Sequence, residues 1–335
     1  MKAFNDREVR WGVIGAGSVC EVKSAPAMQK ISHSSVVAVA RRNAAKAEAY
    51  ANRHKVSKWY NDSSDLIHDP DVNAVYIATP PDSHLLYTEM AASAGKPVYV
   101  EKPMARDHSE CLKMIQACEK AGVPLFVAYY RRMLPHFVKI KALIESDVIG
   151  KVRTVHIQFS KSSAADKVAE GDNWRVDPKK AGGGHFYDLA SHQLDYLDFL
   201  FGQITRAYGI STNQAGLYPA EDLVTASFEF ENGVLGSGNW CFTTAEISQK
   251  DHTIIIGSKG QIEYESFGKG EFTLKTDDGE EVFQFDQPEH IQYPLIQSIV
   301  GELLGTAQCP STGITAARTN WVMSQIVYQT FISAD

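Results

Sequence analysis

The chain has 335 residues, of which 44% are hydrophobic and 22% charged, and a formal net charge of -7. That length accommodates two domains with separate cores, and the charge argues against nucleic acid or an anionic membrane as main partner, because both reward a clustered positive surface. No run approaches a membrane span, the mixed-charge start carries no apolar leader region, and Cys20, Cys111, Cys118, Cys241 and Cys309 are too scattered for a disulfide framework or a zinc site, so a reducing, cytoplasmic setting is expected.

In chain order, Val9–Ile14 reads as a strand and Ser18 to about Lys30 as a helix, with Pro26 inviting a kink. Ser35–Ala40 is a second strand, followed by an alanine-rich helix from Asn43 to Asn52. Ala74–Ala78 is a strand closed by Thr79-Pro80-Pro81, and His84 to Ala94 a helix that Gly95 ends. Pro97–Val100 is a strand, the next helix ends at Gly122, and Val123–Ala128 supplies one more strand. Strand and helix alternating in this way predict an α/β, doubly wound parallel sheet over residues 1–128.

Beyond residue 128 the rhythm changes. A helix from Pro135 to Glu145 leads into the alternating run Val152–Phe159, and a helix from Tyr187 to Phe201 follows. Val224–Phe230 and Val234–Phe242 flank Glu231-Asn232-Gly233, a hairpin signal. Ile254–Ile262 reads as strand, turn and strand, and Gly313 to about Phe331 as a last helix that can return to the first domain. Residues 129–335 are expected to form an α+β domain on a mostly antiparallel open sheet.

Gly15-Ala16-Gly17-Ser18-Val19-Cys20 follows a strand and opens a helix, the context that gives a glycine-rich turn its force as a dinucleotide site. The first glycine permits the tight turn, the second lets backbone approach a pyrophosphate, and the helix start offers N–H groups. Cys20 stands where a third glycine or alanine is usual. At the end of the second strand, Ala40-Arg41-Arg42-Asn43 holds two cations and no acid before Glu48, which favours NADP over NAD; the plainer reading is a solvated helix entrance.

Lys102 directly follows a strand, at the carboxyl edge where such sheets bind ligands, and Pro103 restricts its backbone. Asp188 and His192 stand at i and i+4 of one helix, on a shared face, and Asp195 is three residues further on. Gly182-Gly183-Gly184 ahead of them lets backbone pass close to a bound ring. The alternative is a capping aspartate and a core histidine.

Together these segments resemble the glucose–fructose oxidoreductase/inositol dehydrogenase/rhizopine catabolism family of NAD(P)-dependent oxidoreductases. The resemblance spans nearly the whole chain and rests on Gly15-Ala16-Gly17, Ile77-Ala78-Thr79-Pro80-Pro81 with Ser83-His84, Glu101-Lys102-Pro103, Trp174-Arg175, and the glycine run leading to Asp188, His192 and Asp195. It implies that Lys102 and His192 face the nicotinamide and that Asp188 helps hold substrate. With the glycine turn and the strand-end arginines read above, the cofactor set is Gly15, Gly17, Ser18, Val19, Arg41, Arg42, Thr79, Pro80, His84, Glu101 and Lys102. Tyr130, Arg131, Trp174, Arg175, Asp188 and His192 fall toward a sugar or polyol.

The expected chemistry is hydride transfer at a secondary alcohol or ketone carbon, without a metal. A non-catalytic NAD(P)- or sugar-sensing protein and an NAD-dependent glycosidase are the rival readings. The outer face of the open sheet predicts a homodimer or homotetramer.

Overall fold

The computed structural model describes residue 4 and residues 6–163 and 173–328. The chain forms two compact units, one from Met1–Ala105, Ser109–Leu134 and Pro288–Ala317, the other from Arg106–His108, Pro135–Gln287 and Arg318–Asp335.

The first unit is built on six parallel strands: β1 (Val9–Ile14), β2 (Ser34–Ala40), β3 (Lys58–Tyr60), β4 (Ala74–Ile77), β5 (Val98–Val100) and β6 (Leu125–Val127). Their spatial order is β3-β2-β1-β4-β5-β6, so chain direction across the sheet reverses between β1 and β4, which makes the carboxyl ends of those strands a ligand crevice. Side chains alternate between two cores, Trp11, Val13, Tyr76 and Tyr99 on one face and Ile14, Val75, Ile77 and Val100 on the other. Burial on both faces explains why β4 reads as an unbroken apolar run.

The crossovers are α1 (Ser18–Val22) with α2 (Ala25–Lys30), α3 (Ala44–His54), α4 (Ser63–His68), α5 (His84–Ser93) and α6 (His108–Ala121). The single helix expected over Ser18–Lys30 is two: the chain breaks at Lys23-Ser24 and restarts with Pro26 in the first turn of α2, where a missing N–H costs no helical hydrogen bond. Asn43 caps α3 by accepting from the Lys46 N–H.

The second unit begins with α7 (Pro135–Glu145) and carries α8 (Pro178–Ala181), α9 (Ser191–Phe201) and an eight-stranded sheet. Its strands are β7 (Val152–Ser162), β8 (Ile204–Thr212), β9 (Leu223–Phe230), β10 (Leu235–Thr244), β11 (Lys250–Gly257), β12 (Gly260–Tyr264), β13 (Glu271–Thr276) and β14 (Gly279–Gln284). The order is β14-β13-β12-β11-β7-β10-β9-β8, antiparallel throughout except for the β7–β10 pair. The β9–β10 hairpin turns at Asn232-Gly233, with Gly233 at φ 84° and its N–H donated to the Phe230 carbonyl at 2.9 Å.

One face of this sheet is covered by α7 and α9. Tyr196 Oη donates to the Phe137 carbonyl at 2.7 Å, and Trp240 Nε1 donates to Gln193 Oε1 at 2.7 Å. The opposite face carries polar side chains, among them His156, Gln158, Thr225 and Asn239.

The chain then returns to the first unit with α10 (Tyr293–Leu303), whose Leu295, Ile296, Ile299 and Val300 join the core of Trp11 and Tyr76. The last helix, α11, is described over Gly313–Tyr328; the expected extension to Phe331 lies outside the described residues. No described helix is long and apolar enough to cross a membrane, and all five cysteines are free thiols.

Candidate functional site

In the first unit the glycine turn stands at the strand-order reversal. Gly15 adopts φ 83°, and a Cβ there would lie 2.7 Å from Thr79 Cγ2 and 2.9 Å from the Ala78 carbonyl carbon. Glycine is therefore required both for the backbone conformation and for the close approach of the loop after β4. Gly17, the N-cap of α1, is different: a Cβ there would meet nothing nearer than the Gly15 carbonyl oxygen at 3.6 Å. The space above this turn, bordered by Ser18 and Val19, suits the backbone approach that a pyrophosphate needs.

Cys20 is fully buried in the core, where burial pushes its thiol up to about 12. It serves packing, as the third residue of such a turn does. Arg41, partly exposed, and Arg42, exposed, follow β2 directly, and the Arg41 N–H donates to the Tyr60 carbonyl at 3.1 Å. Among the described residues no ion pair engages either guanidinium. The residues present thus fit a dinucleotide.

Thr79 and Pro80 are partly exposed in the loop after β4. His84 is fully buried, with Nδ1 3.0 Å from the Met104 carbonyl oxygen and Nε2 2.8 Å from that of Thr79. Burial pushes its pKa down, and the two carbonyls oppose that shift because only imidazolium carries N–H on both nitrogens. Its geometry is that of a brace between two loops.

At the end of β5, Glu101 is 8% exposed while Lys102 is half-buried, and the Lys102–Pro103 peptide is cis. Glu101 Oε1 accepts from Tyr76 Oη at 2.6 Å and from Gln292 Nε2 at 2.7 Å, and Oε2 accepts the Lys102 N–H at 3.3 Å. Burial and then the Glu101 charge push the Tyr76 and Tyr99 hydroxyls well up, so both stay protonated donors.

Tyr130 and Arg131 lie in the turn Tyr130–Met133 of the first unit. Arg131 is buried, with its guanidinium 5.2 Å from the Tyr130 ring, and Arg132 Nη1 donates to the Pro310 carbonyl at 2.9 Å.

The second unit holds a cavity of about 440 Å³. Phe159, Leu189 and Phe267 supply its apolar wall, with the two phenyl centroids 5.3 Å apart at 56°. Lys161, Asn173, Arg175, His185 and Asp188 supply its polar groups. Arg175 Nε stands 3.5 Å from Asp188 Oδ2, and its guanidinium lies 4.5 Å over the Trp174 ring. His192 is 3% exposed, with its ring 6.1 Å from that of Phe267.

Two expectations change here. Asp188 does not share an α-helix with His192: Phe186–Ala190 forms a wide π-type turn, and α9 begins only at Ser191. Such turns interrupt helical phase where side chains must be re-aimed. The glycine run, expected to admit a bound ring, instead admits the protein's own atoms. A Cβ at Gly182 (φ 87°) would strike the Arg106 carbonyl, one at Gly183 the Tyr187 ring, and one at Gly184 the Ala220 methyl. Tyr328 Oη donates to the Gly182 carbonyl at 2.8 Å, and the Gly184 N–H donates to Glu221 Oε1 at 2.9 Å. Asp195, fully buried, accepts from Thr319 Oγ1 at 3.4 Å.

The pocket therefore gathers Arg175 and Asp188, sets Trp174 beneath Arg175, and brings Phe267 against His192. Phe159, Asn173, His185, Leu189 and Phe267 carry no motif and were missed by sequence reasoning, and Lys161 was reached only as part of a loop; His185, directly after the glycines, was the most accessible to it. The sequence also suggests a pocket-lining loop over Ser160–Asp172; of these, residues 160–162 end β7, and residues 164–172 lie outside the described residues. Among the described residues no group of three or more His, Cys, Asp or Glu is arranged to hold a metal.

Comparison with known proteins matches residues 9–129 to an oxidoreductase family with an NAD-binding Rossmann fold and residues 137–263 to a GFO/IDH/MocA C-terminal domain. An oxidoreductase of Formosa agariphila is 38% identical over 95% of this chain and 98% of its own length. The 1,5-anhydro-D-fructose reductase of Ensifer adhaerens is 27% identical over 91% of each chain. Among solved structures, a levoglucosan dehydrogenase in complex with NADH and levoglucosan superposes with a TM-score of 0.85 at 22% identity, covering 95% of this chain and 96% of the other.

Proposed function

The chain belongs to the Gfo/Idh/MocA family of oxidoreductases, and on that premise we propose that it transfers hydride between a nicotinamide dinucleotide and a secondary alcohol or ketone carbon of a sugar, polyol or related cyclic substrate. The observation that carries the reading is positional. Gly15, Thr79 and Glu101-Lys102 follow the carboxyl ends of β1, β4 and β5, three neighbouring strands at the reversal of the sheet.

The cofactor is held by the Gly15–Val19 turn, with Thr79 and Pro80 beside it. We assign NADP in preference to NAD because Arg41 and Arg42 follow β2 where an acid would otherwise take the ribose hydroxyls. When bound, the nicotinamide supplies hydride chemistry, and the protein contributes position and electrostatics.

His192 takes the hydroxyl proton of the substrate, Lys102 stabilises the negative charge developing on that oxygen, and Asp188 binds a neighbouring hydroxyl. In the reducing direction His192 or Lys102 returns the proton. The cavity of the second unit supports a ring substrate: two phenyl rings suit the apolar face of a sugar or carbocycle, and Asn173, Arg175 and Asp188 suit its hydroxyls. We place a homodimer contact on the uncovered face of the eight-stranded sheet, which exposes Tyr208, Ile210 and Leu235 among its polar side chains.

A side-by-side fluorescence titration with NADPH and NADH tests the cofactor assignment, followed by turnover with 1,5-anhydro-D-fructose and levoglucosan as probes. Tighter NADPH binding supports the Arg41-Arg42 role, and tighter NADH binding removes it. Binding of neither removes the oxidoreductase reading and leaves a non-catalytic one.

A further inference from the structure

We infer that Gln292 and Tyr76 are positioning residues for Lys102, acting through the carboxylate of Glu101. The functional meaning of this inference rests on the role proposed above for Lys102, but its geometry lies wholly within the first unit.

Glu101 Oε1 is shared by two neutral donors, Tyr76 Oη at 2.6 Å and Gln292 Nε2 at 2.7 Å, while Oε2 accepts the Lys102 N–H at 3.3 Å. Gln292 reaches this carboxylate from 191 residues further along the chain. It is the N-cap residue of α10, yet its side chain caps nothing there. The amide is engaged instead at both ends: Nε2 donates to Glu101, and Oε1 accepts from Tyr99 Oη at 2.9 Å.

Tyr76 and Tyr99 are fully buried and stacked with centroids 4.8 Å apart, and Gln292 is 1% exposed. A core that needed only volume here would use apolar side chains, since each buried polar group costs desolvation that only a completed network offsets. This network is completed, and its outward end is the main chain of Lys102. Beyond the proline, the Met104 carbonyl is braced by His84 Nδ1 at 3.0 Å. The strap that carries Lys102 is thus anchored on both sides by side chains with no place of their own in the reaction. Misplacement of a reacting group by about 1 Å can cost about 10²-fold in rate, so such anchoring matters for a lysine that must meet one oxygen.

The test reads Lys102 directly and needs no substrate. Wild type, Gln292→Leu and Tyr76→Phe are trace-labelled with acetic anhydride across a pH series, and Lys102 acetylation is measured by mass spectrometry against Lys113, exposed on α6. In both variants the Lys102/Lys113 ratio should change by about threefold or more, since incidental surface effects stay near twofold. Melting curves confirm that the labelled protein is folded. A Lys102/Lys113 ratio equal to wild type in folded variants overturns the inference. Should Gln292→Leu fail to fold, Tyr76→Phe, which removes one hydroxyl, decides alone. Lys102→Met, titrated with NADPH and assayed with 1,5-anhydro-D-fructose, separates the two readings: unchanged binding and turnover would remove the role of Lys102 and leave the strap geometry standing.

Discussion

Arg175 Nε lies 3.5 Å from Asp188 Oδ2, and the same guanidinium rests over the Trp174 ring, so one cation ties the pocket carboxylate to an indole. Planarity allows both contacts at once, which an ammonium cannot match. Arg175→Ala should raise KM for substrate by about tenfold, equivalent to about 1.4 kcal/mol, while kcat falls much less. Arg175→Lys should not restore KM. Steady-state kinetics with NADPH saturating would show this, and an unchanged KM in both variants would remove Arg175 from substrate binding.

His192 is nearly enclosed, with its ring against Phe267. If it moves the hydroxyl proton, His192→Ala should lower kcat by about 10²–10⁴-fold, the usual contribution of a positioned acid–base group. NADPH affinity should change far less than kcat. Comparison of single-turnover rates with fluorescence titration separates the two effects, and wild-type turnover in the variant would exclude His192 from the mechanism.

Gly15→Ala combines a left-handed backbone with a methyl forced against Thr79 and the Ala78 carbonyl carbon. The strain should cost about 1–3 kcal/mol and displace the loop after β4. We expect a melting temperature lowered by several degrees together with loss of dinucleotide binding. Gly17→Ala, whose new methyl makes only an ordinary van der Waals contact with the Gly15 carbonyl oxygen at 3.6 Å, should leave the melting temperature unchanged and weaken dinucleotide binding. Equal losses of stability in both variants would refute the distinction between the two glycines.

On the uncovered sheet face Lys275 Nζ lies 2.9 Å from Glu263 Oε1 and His252 Nε2 lies 3.1 Å from Oε2. The Lys275 hydrogen bond holds the Glu263 carboxyl below its usual value; burial opposes this, and His252 and Gln261 add to it. A carboxyl depressed in the folded state contributes stability above its unfolded pKa of about 4.3 and loses that contribution as pH falls through the folded value. Glu263→Gln should therefore melt below wild type at pH 7, by about 1–3 °C for a partly exposed pair, and the gap should narrow as pH falls below the unfolded value. A gap that does not change with pH would assign the effect to packing.

Much of this fold was legible because strongly periodic segments carry their own signal. The parallel strands Val9–Ile14 and Ala74–Ile77, α7 and the Asn232-Gly233 hairpin follow directly from apolar runs and turn chemistry. Lys58–Tyr60, α4 and the six-residue β13 are too short to show a firm period, and β8 and β14 have too many exposed residues to alternate cleanly. Helix α10 was not read at all, although Pro294 and its apolar face were present. At the site, glycines and the Glu-Lys-Pro strap were visible because backbone constraints leave residue types behind. Phe267 was not, because a pocket wall assembled from a loop and a strand end leaves no spacing in the chain. The π-type turn at Asp188 was likewise invisible, since one extra residue in a helical repeat resembles the repeat itself.

The first unit is discontinuous: Leu295, Ile296, Ile299 and Val300 of α10 complete the core that Trp11 and Tyr76 begin, and all of residues 135–287 intervene. On the ribosome this sheet must wait for its last layer. At about 5–20 residues per second, translation of the intervening segment takes roughly 8–30 s. During that interval the nascent sheet presents one apolar face only partly covered, by α1 and α2, and the Glu101 carboxylate lacks the amide that later anchors it. A chaperone that shields such a face has its period of action set by the length of the insert.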